Sequence, residues 1–269
     1  QGFTFLKYDC GIQTIRNVPG ALAYPTNQTN WRGKHPFTAI QLSDKGAALM
    51  AERFAEVRDV VGGTIPVASD HFGHIGVNSC IKLGKVLQPY TLAWLEDMVP
   101  WEYTDMLKEI KNAIDVPLLT GEDIYTLDGG FKELIDERAV DMVHPDLATA
   151  GGILETKKIG DYAEQSGIAM PLHFAGTPVC FMANLHCAAA TENFVALEHH
   201  SVDVDWWEDL VTGVDKPFHT DGFARVPEGP GLGIELNLDV IKEHLERGQE
   251  LFAPTEEWNQ DRSNDRLWS

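Results

Sequence analysis

The apolar positions fall into two patterns that alternate along the chain. Short runs of bulky or β-branched residues at 2–6, 64–69, 91–95, 116–119, 141–143, 168–172 and 194–197 suit strands buried on both faces. Segments with helical spacing lie between them. Residues 45–61 set Ala48, Met50, Ala51, Phe54, Ala55 and Val57 on one broad stripe, and residues 103–114 set Met106, Ile110 and Ile114 four apart. Segments 151–165, 177–190 and 236–246 follow the same logic. Strand alternating with helix over most of the chain predicts a parallel sheet with helical crossovers. A polar stretch rich in Asn, Pro and Gly, residues 16–41, follows the first strand where a long strand-to-helix loop would sit.

Charge narrows the set of partners. The 269 residues carry 21 Lys+Arg against 41 Asp+Glu, a net charge of −20. Such a field repels phosphate backbones and anionic lipid heads, so neither nucleic acid nor a membrane surface is expected as a partner. Any site for an anion must then carry local positive charge, such as a metal ion or a lysine. Cys10, Cys80, Cys180 and Cys187 form no CxxC pair and are too sparse for a disulfide scaffold, which suits reduced thiols in a cytoplasmic protein. No apolar run reaches the length of about 18 residues that a membrane span needs, and no signal-peptide pattern is present. The chain opens at Gln1 and enters a strand at once, so an upstream part is expected outside it. The charged tail from Arg247, with Trp258 and Trp268, is expected to pack on the molecule or on a neighbouring chain.

The residues that close the strands carry the chemistry. They are Lys7, Asp70, Glu96, Glu122, Asp146, His173 and Glu198, and from Asp70 onward the steps between them are 26, 26, 24, 27 and 25 residues. Each step is the length of one strand–helix unit, and in a (β/α) barrel every strand ends on the same face. Taken alone, an acid after a strand is usually a helix cap, and a lone His a satisfied polar group. Asp70, Glu96 and Glu122 in series make an all-oxygen set that would repel itself without a cation and that suits Mg²⁺ before Ca²⁺. Zinc fits less well, because the set holds neither Cys nor His. Asp146 and His173 on successive strands form an acid/base pair. Lys7 across the mouth is either a desolvated base or a charged holder of an oxyanion.

Local strings add a resemblance. Trp-Leu-Glu-Asp at 94–97, Thr-Gly-Glu-Asp at 120–123, His-Pro-Asp-Leu-Ala-Thr-Ala-Gly-Gly-Ile at 144–153, Met-Pro-Leu-His at 170–173 and Gly-Pro-Gly-Leu-Gly-Ile at 229–234 occur in order. This set resembles the enolase superfamily, in its mandelate racemase-like branch of galactonate dehydratase-like sugar-acid dehydratases, over residues 3–240. The resemblance implies a modified (β/α)7β barrel of the TIM type. Residues 1–235 would form the barrel from its second strand onward, and residues 236–269 a C-terminal helix and tail. The family's first barrel strand and N-terminal capping domain would lie outside this chain.

The same resemblance implies site roles. Asp70, Glu96 and Glu122 become Mg²⁺ ligands, Asp146 and His173 the acid/base dyad, and Glu198 an acid that hydrogen-bonds substrate or intermediate. Lys7 takes the first place of the family's Lys-x-Lys motif, and Asp9 stands where racemases carry the second lysine. Some dehydratases of this branch place a His two positions after the first metal ligand. Phe72 holds that place here, with His71 and His74 beside it, and His71 is assigned a catalytic role. The implied reaction takes the proton α to a carboxylate and expels the β-hydroxyl, giving a 2-keto-3-deoxy sugar acid in a cytoplasmic homo-oligomer. Lys7 or a histidine from His71 and His74 would remove the proton, and His173 would deliver one to the departing hydroxyl. A racemase, epimerase or cycloisomerase shares the enolate step. A Schiff-base aldolase using Lys7 competes with this assignment, as does a non-catalytic binding protein on the same scaffold.

Overall fold

The computed structural model describes residues 2–23, 40–70 and 75–251. Seven parallel strands run in sequence order: β1 (Leu6–Asp9), β2 (Val67–Asp70), β3 (Leu95–Glu96), β4 (Leu118–Thr120), β5 (Met142–Val143), β6 (Met170–Leu172) and β7 (Phe194–Leu197). β1 to β5 form one sheet, β6 pairs with β7, and bridges Met142–Ala169 and Asp146–His173 join the two groups. The helices between them are α1 (Asp44–Val61), α2 (Val77–Leu87), α3 (Thr104–Ala113), α4 (Lys132–Asp136), α5 (Gly152–Gln165) and α6 (Pro178–Ala189). These are the parallel strands with helical crossovers expected from the alternation, in the barrel order that the resemblance implies. Among the described residues no helix is long and apolar enough to cross a membrane.

Two sequence expectations need correction. The first strand is not 2–6 but Leu6–Asp9, paired residue for residue with β2 from Leu6–Val67 to Asp9–Asp70. The apolar run Phe3-Thr4-Phe5 attracts a strand assignment, but the backbone ladder starts only at Leu6, four residues past the expected start, where a mixed polar string is stabilised by its partner β2. Lys7 therefore stands within the strand. On α1 the buried face is Ala47, Met50 and Phe54, while Ala48 is exposed. The helix has more small apolar residues than its core-facing stripe requires. Helices α2 and α4 are additions that the apolar pattern did not single out.

Alternation along the strands sorts the core. Val67, Leu95, Leu118, Val143, Met170 and Leu172 join helix residues such as Met50, Leu83 and Ile110 in the main cluster between sheet and helices. Their neighbours Ala68, Trp94 and Leu119 form a separate cluster with Phe5 and Met142, which is the floor of the barrel interior. One further inward step along a strand reaches the mouth. Trp94 leads to Glu96, Ala68 to Asp70, and Met142 to His144. Past β7, Trp207, Val211 and Phe218 pack on Phe174, Phe181, Met182 and Leu185, with the Trp207 indole donating to Gly176 O at 2.9 Å.

Local sequence sets the strand ends. Ser43 begins α1, its Oγ accepting from Gly46 N at 3.0 Å, as an N-cap should. Gly121 links β4 to Glu122 with φ at +144°, and a Cβ there would stand 2.6 Å from the Phe131 ring. A residue with a side chain fits neither the backbone angle nor the space, so Gly121 is what allows Glu122 to follow the strand so tightly.

Candidate active site

The strand-end residues converge. Lys7 Nζ lies 3.2 Å from Asp70 Oδ2, 3.1 Å from Glu96 Oε1 and 2.7 Å from Glu198 Oε1. It thereby ties β1 to β2, to β3 and to the end of β7 on the far edge of the sheet. Burial disfavours the ammonium, but the charges of Glu96, Glu198 and Asp70 outweigh it and raise the Lys7 pKa above that of an ordinary lysine.

Glu96 is the most enclosed of the acids, at 1% exposed. Its Oε1 also meets His144 Nδ1 at 2.9 Å, and its Oε2 accepts from Trp94 Nε1 at 3.0 Å. Burial opposes its charge, yet His144, Lys7 and the indole hold it down at about 2. Asp70 differs: burial, aided by the Glu96 charge, pushes it up to about 6 against the pull of Lys7. Asp70 Oδ1 is buried without a hydrogen-bond partner. An orphaned carboxylate oxygen in an acid-rich pocket is the mark of a place for a cation.

The metal trio expected from sequence is only partly gathered. Asp70 and Glu96 meet, and Asp97 joins them with one oxygen from each within 4.8 Å of the others. Thr120 Oγ1 donates to Asp97 Oδ1 at 2.6 Å, and burial with the Glu96 charge pushes the Asp97 carboxyl up. Glu122 instead places Oε2 3.2 Å from His173 Nε2. Burial raises Glu122 and the Glu96 charge adds to that, while His173 opposes it. All the donors around Lys7 are oxygens, so the residues present fit a hard divalent cation.

The other side of the mouth is built on imidazole. His173 Nδ1 lies 2.8 Å from Asp146 Oδ2. Asp146 Oδ1 accepts from Ala148 N at 2.7 Å and Thr149 N at 3.2 Å, so it caps the turn Leu147–Ala150 while orienting the ring. Asp146 thus caps a turn and holds the His173 ring at once. Burial disfavours its charge, but His173 and the two amides prevail and lower it. Burial likewise disfavours the His173 imidazolium, while Asp146, Glu198 and Glu122 outweigh it and raise the pKa. An ionised Asp146 only accepts, so Nδ1 carries a proton and Nε2 faces the mouth. Glu198 Oε1 is 2.6 Å from His200 Nε2. Burial opposes the Glu198 charge, and His200, Lys7, His144 and His173 together lower its pKa.

His71 and His74, like Phe72, fall outside the described residues, as do most of the polar stretch and both tail tryptophans. Sequence reasoning missed His144, Asp97 and His200. His144 had a signal: it is two residues from Met142 and from Asp146, on the inward face of the same strand end. Asp97 and His200 had none, because they sit one and three positions past their strands, where periodicity no longer fixes direction. A cavity of about 540 Å³ runs from Phe5 and Lys7 to Asp70, His144, Glu198 and His200.

A family model described as enolase C-terminal domain-like matches residues 26–240. The chain belongs to the enolase superfamily. This enolase-superfamily chain is 39% identical over 197 residues to a D-xylonate dehydratase of Haloferax volcanii, covering 73% of this chain and 47% of that protein. It is 31% identical over 186 residues to the D-galactonate dehydratase family member RspA of Pantoea ananatis, covering 68% of this chain and 44% of that protein. The chain therefore spans about half the length of these curated relatives. In structure it is similar to a mandelate racemase/muconate lactonizing enzyme-like protein of Rubrobacter xylanophilus, with a TM-score of 0.81 and 34% identity over 94% of this chain and 60% of that one. The enolase-superfamily, galactonate dehydratase-like resemblance read from the strings at 94–97, 120–123 and 144–153 is thus upheld, and with it the TIM-type barrel.

Proposed function

We propose that this chain carries the catalytic barrel of a sugar-acid dehydratase, acting on a substrate of the D-xylonate and D-galactonate kind. The observation that carries the reading is the division of the mouth. Oxygen donors surround Lys7 on one side, and an Asp-oriented imidazole stands on the other.

Asp70, Glu96 and Glu122 would hold Mg²⁺, and Asp97 adds negative charge beside them. Bound there, Mg²⁺ supplies Lewis-acid polarisation of the substrate carboxylate, which makes the α-proton more acidic. Lys7, ion-paired to Glu198 beside the metal ligands, then serves as a positive group facing developing oxyanion charge rather than as a free base. The proton acceptor falls to His71 or His74. His173 Nε2, with Nδ1 fixed by Asp146, donates a proton to the departing β-hydroxyl. Glu198 accepts a hydrogen bond from substrate or intermediate. The enol left by water loss becomes the 2-keto-3-deoxy acid. The assembly is proposed to be a homo-oligomer with a small-molecule substrate and no nucleic-acid or membrane partner.

Lys7 in this state also speaks against aldolase chemistry, since a Schiff base needs a neutral amine. The test is a panel of aldonates incubated with the protein and Mg²⁺ and assayed for keto-acid formation. Keto acid from a pentonate or hexonate supports the reading. Exchange of the α-proton without water loss across the panel would replace it with racemase or epimerase chemistry.

A further inference from the structure

We infer that the mouth holds a second metal site, built from His173, Glu198 and His200 and selective for a borderline transition metal such as Zn²⁺. Each of the three residues offers a ligand atom within 4.8 Å of the other two. His173 Nε2 and Glu198 Oε2 are 3.6 Å apart, and His200 Nε2 and Glu198 Oε1 are 2.6 Å apart. Donor atoms in a tetrahedral zinc site, with bonds of 2.0–2.1 Å, stand roughly 3.3 Å from one another. Small side-chain rotations therefore bring the three onto one ion.

Four further features suit this set to a dication. The His173 ring is already fixed by Asp146 on Nδ1, which turns Nε2 toward the mouth, where it meets only carboxylates, Glu122 Oε2 at 3.2 Å and Glu198 Oε2 at 3.6 Å; a carboxylate behind a ligating imidazole is the usual support for zinc. Glu198 Oε2 is buried with no hydrogen-bond partner, while Oε1 serves Lys7 and His200. Glu122 and Asp146 flank the imidazole, so the acids around it outnumber the single ammonium of Lys7. His200 is half exposed, which gives an ion a path from solvent.

The donor chemistry separates this site from the one around Asp70 and Glu96. Two imidazoles and one carboxylate favour zinc, cobalt or nickel, whereas oxygens alone favour magnesium. The two cations would thus sit on either side of Lys7, whose Nζ lies 3.1 Å from Glu96 and 2.7 Å from Glu198. A metal on His173 Nε2 takes the nitrogen that delivers the proton, so under the proposed function occupancy of this site stops turnover. The binding claim itself stands without that reading.

The test is titration of the intact chain with Co²⁺ and Zn²⁺ in excess Mg²⁺. Co²⁺ is followed by its visible absorption, and Zn²⁺ by competition with a chromophoric chelator. The expected result is one ion per chain that Mg²⁺ does not displace. Affinity should fall more than about tenfold in His200→Ala and stay the same in Glu96→Gln. Far-UV circular dichroism checks that both variants are folded. No Mg²⁺-resistant ion, equal affinity in His200→Ala, or loss in Glu96→Gln alone overturns the site. If Zn²⁺ binds as described and aldonate turnover continues, the metal site stands and His173 loses its role as proton donor.

Discussion

The floor and the mouth of the barrel are made by the same strands and differ by one inward step. Trp94, Ala68, Leu119 and Met142 are apolar and close-packed, while Glu96, Asp70 and His144, one step on, are charged or polar and buried. Burial at the floor removes apolar area from water and stabilises the fold. Burial at the mouth costs desolvation, which is offset only because each acid meets a cation or donor, as Glu96 meets Lys7, His144 and Trp94. Asp70 and Glu198 are the exceptions, each with one oxygen left over. The two levels therefore separate stability from chemistry, and Trp94 joins them by packing below and donating above.

That separation can be broken from either side. The largest effect is expected for Glu96→Gln, which removes the charge shared by Lys7 and His144. Aldonate turnover should fall at least about 10³-fold, several kcal/mol of transition-state stabilisation, as read by keto-acid formation. Trp94→Ala should act on the other term. Truncating a buried tryptophan costs about 3–5 kcal/mol, measured by urea unfolding. Asp146→Asn leaves the shape and removes the anion behind His173. Turnover should fall about 10²-fold, with the His173 titration moving to lower pH in a rate profile.

The smallest effect lies at the edge of the mouth, in the aromatic cluster beside β7. His199 packs 5.0 Å from the Phe181 ring, its Nδ1 buried without a partner. Burial, with the charges of His219 and His200, lowers its pKa from 6.5 to about 4. The folded state then binds this proton less readily than the unfolded chain. Its contribution to stability is full above pH 6.5 and is lost as pH falls toward 4. His199→Phe should flatten the pH dependence of the unfolding midpoint in that window. An unchanged slope would show that other groups dominate it.

The alternation of apolar runs and helical stripes was enough to read a parallel sheet with helical crossovers, because burial on both faces forces each inner strand to be apolar, and the ordered strings of the resemblance made it a barrel. It failed at β1, where Leu6–Asp9 is a mixed string whose strand state depends on pairing with β2. The even spacing from Asp70 to Glu198 was legible because each strand–helix unit has nearly the same length. What spacing does not contain is the direction of a side chain past the strand end. Glu122 toward His173, Asp97 toward Glu96 and His200 toward Glu198 are set by contacts between units far apart in sequence. Lys7 was read as either a base or a charged holder, and only the three carboxylates around it favour the second.

The central claim is that carboxylates around Lys7 serve proton removal while the Asp146–His173 pair serves the leaving hydroxyl. Turnover of a substrate aldonate by His173→Asn in D₂O tests it most directly, with keto acid and α-deuterium followed together. The account predicts that keto-acid formation is lost while deuterium still enters the α-position. Keto acid formed at the wild-type rate would contradict it.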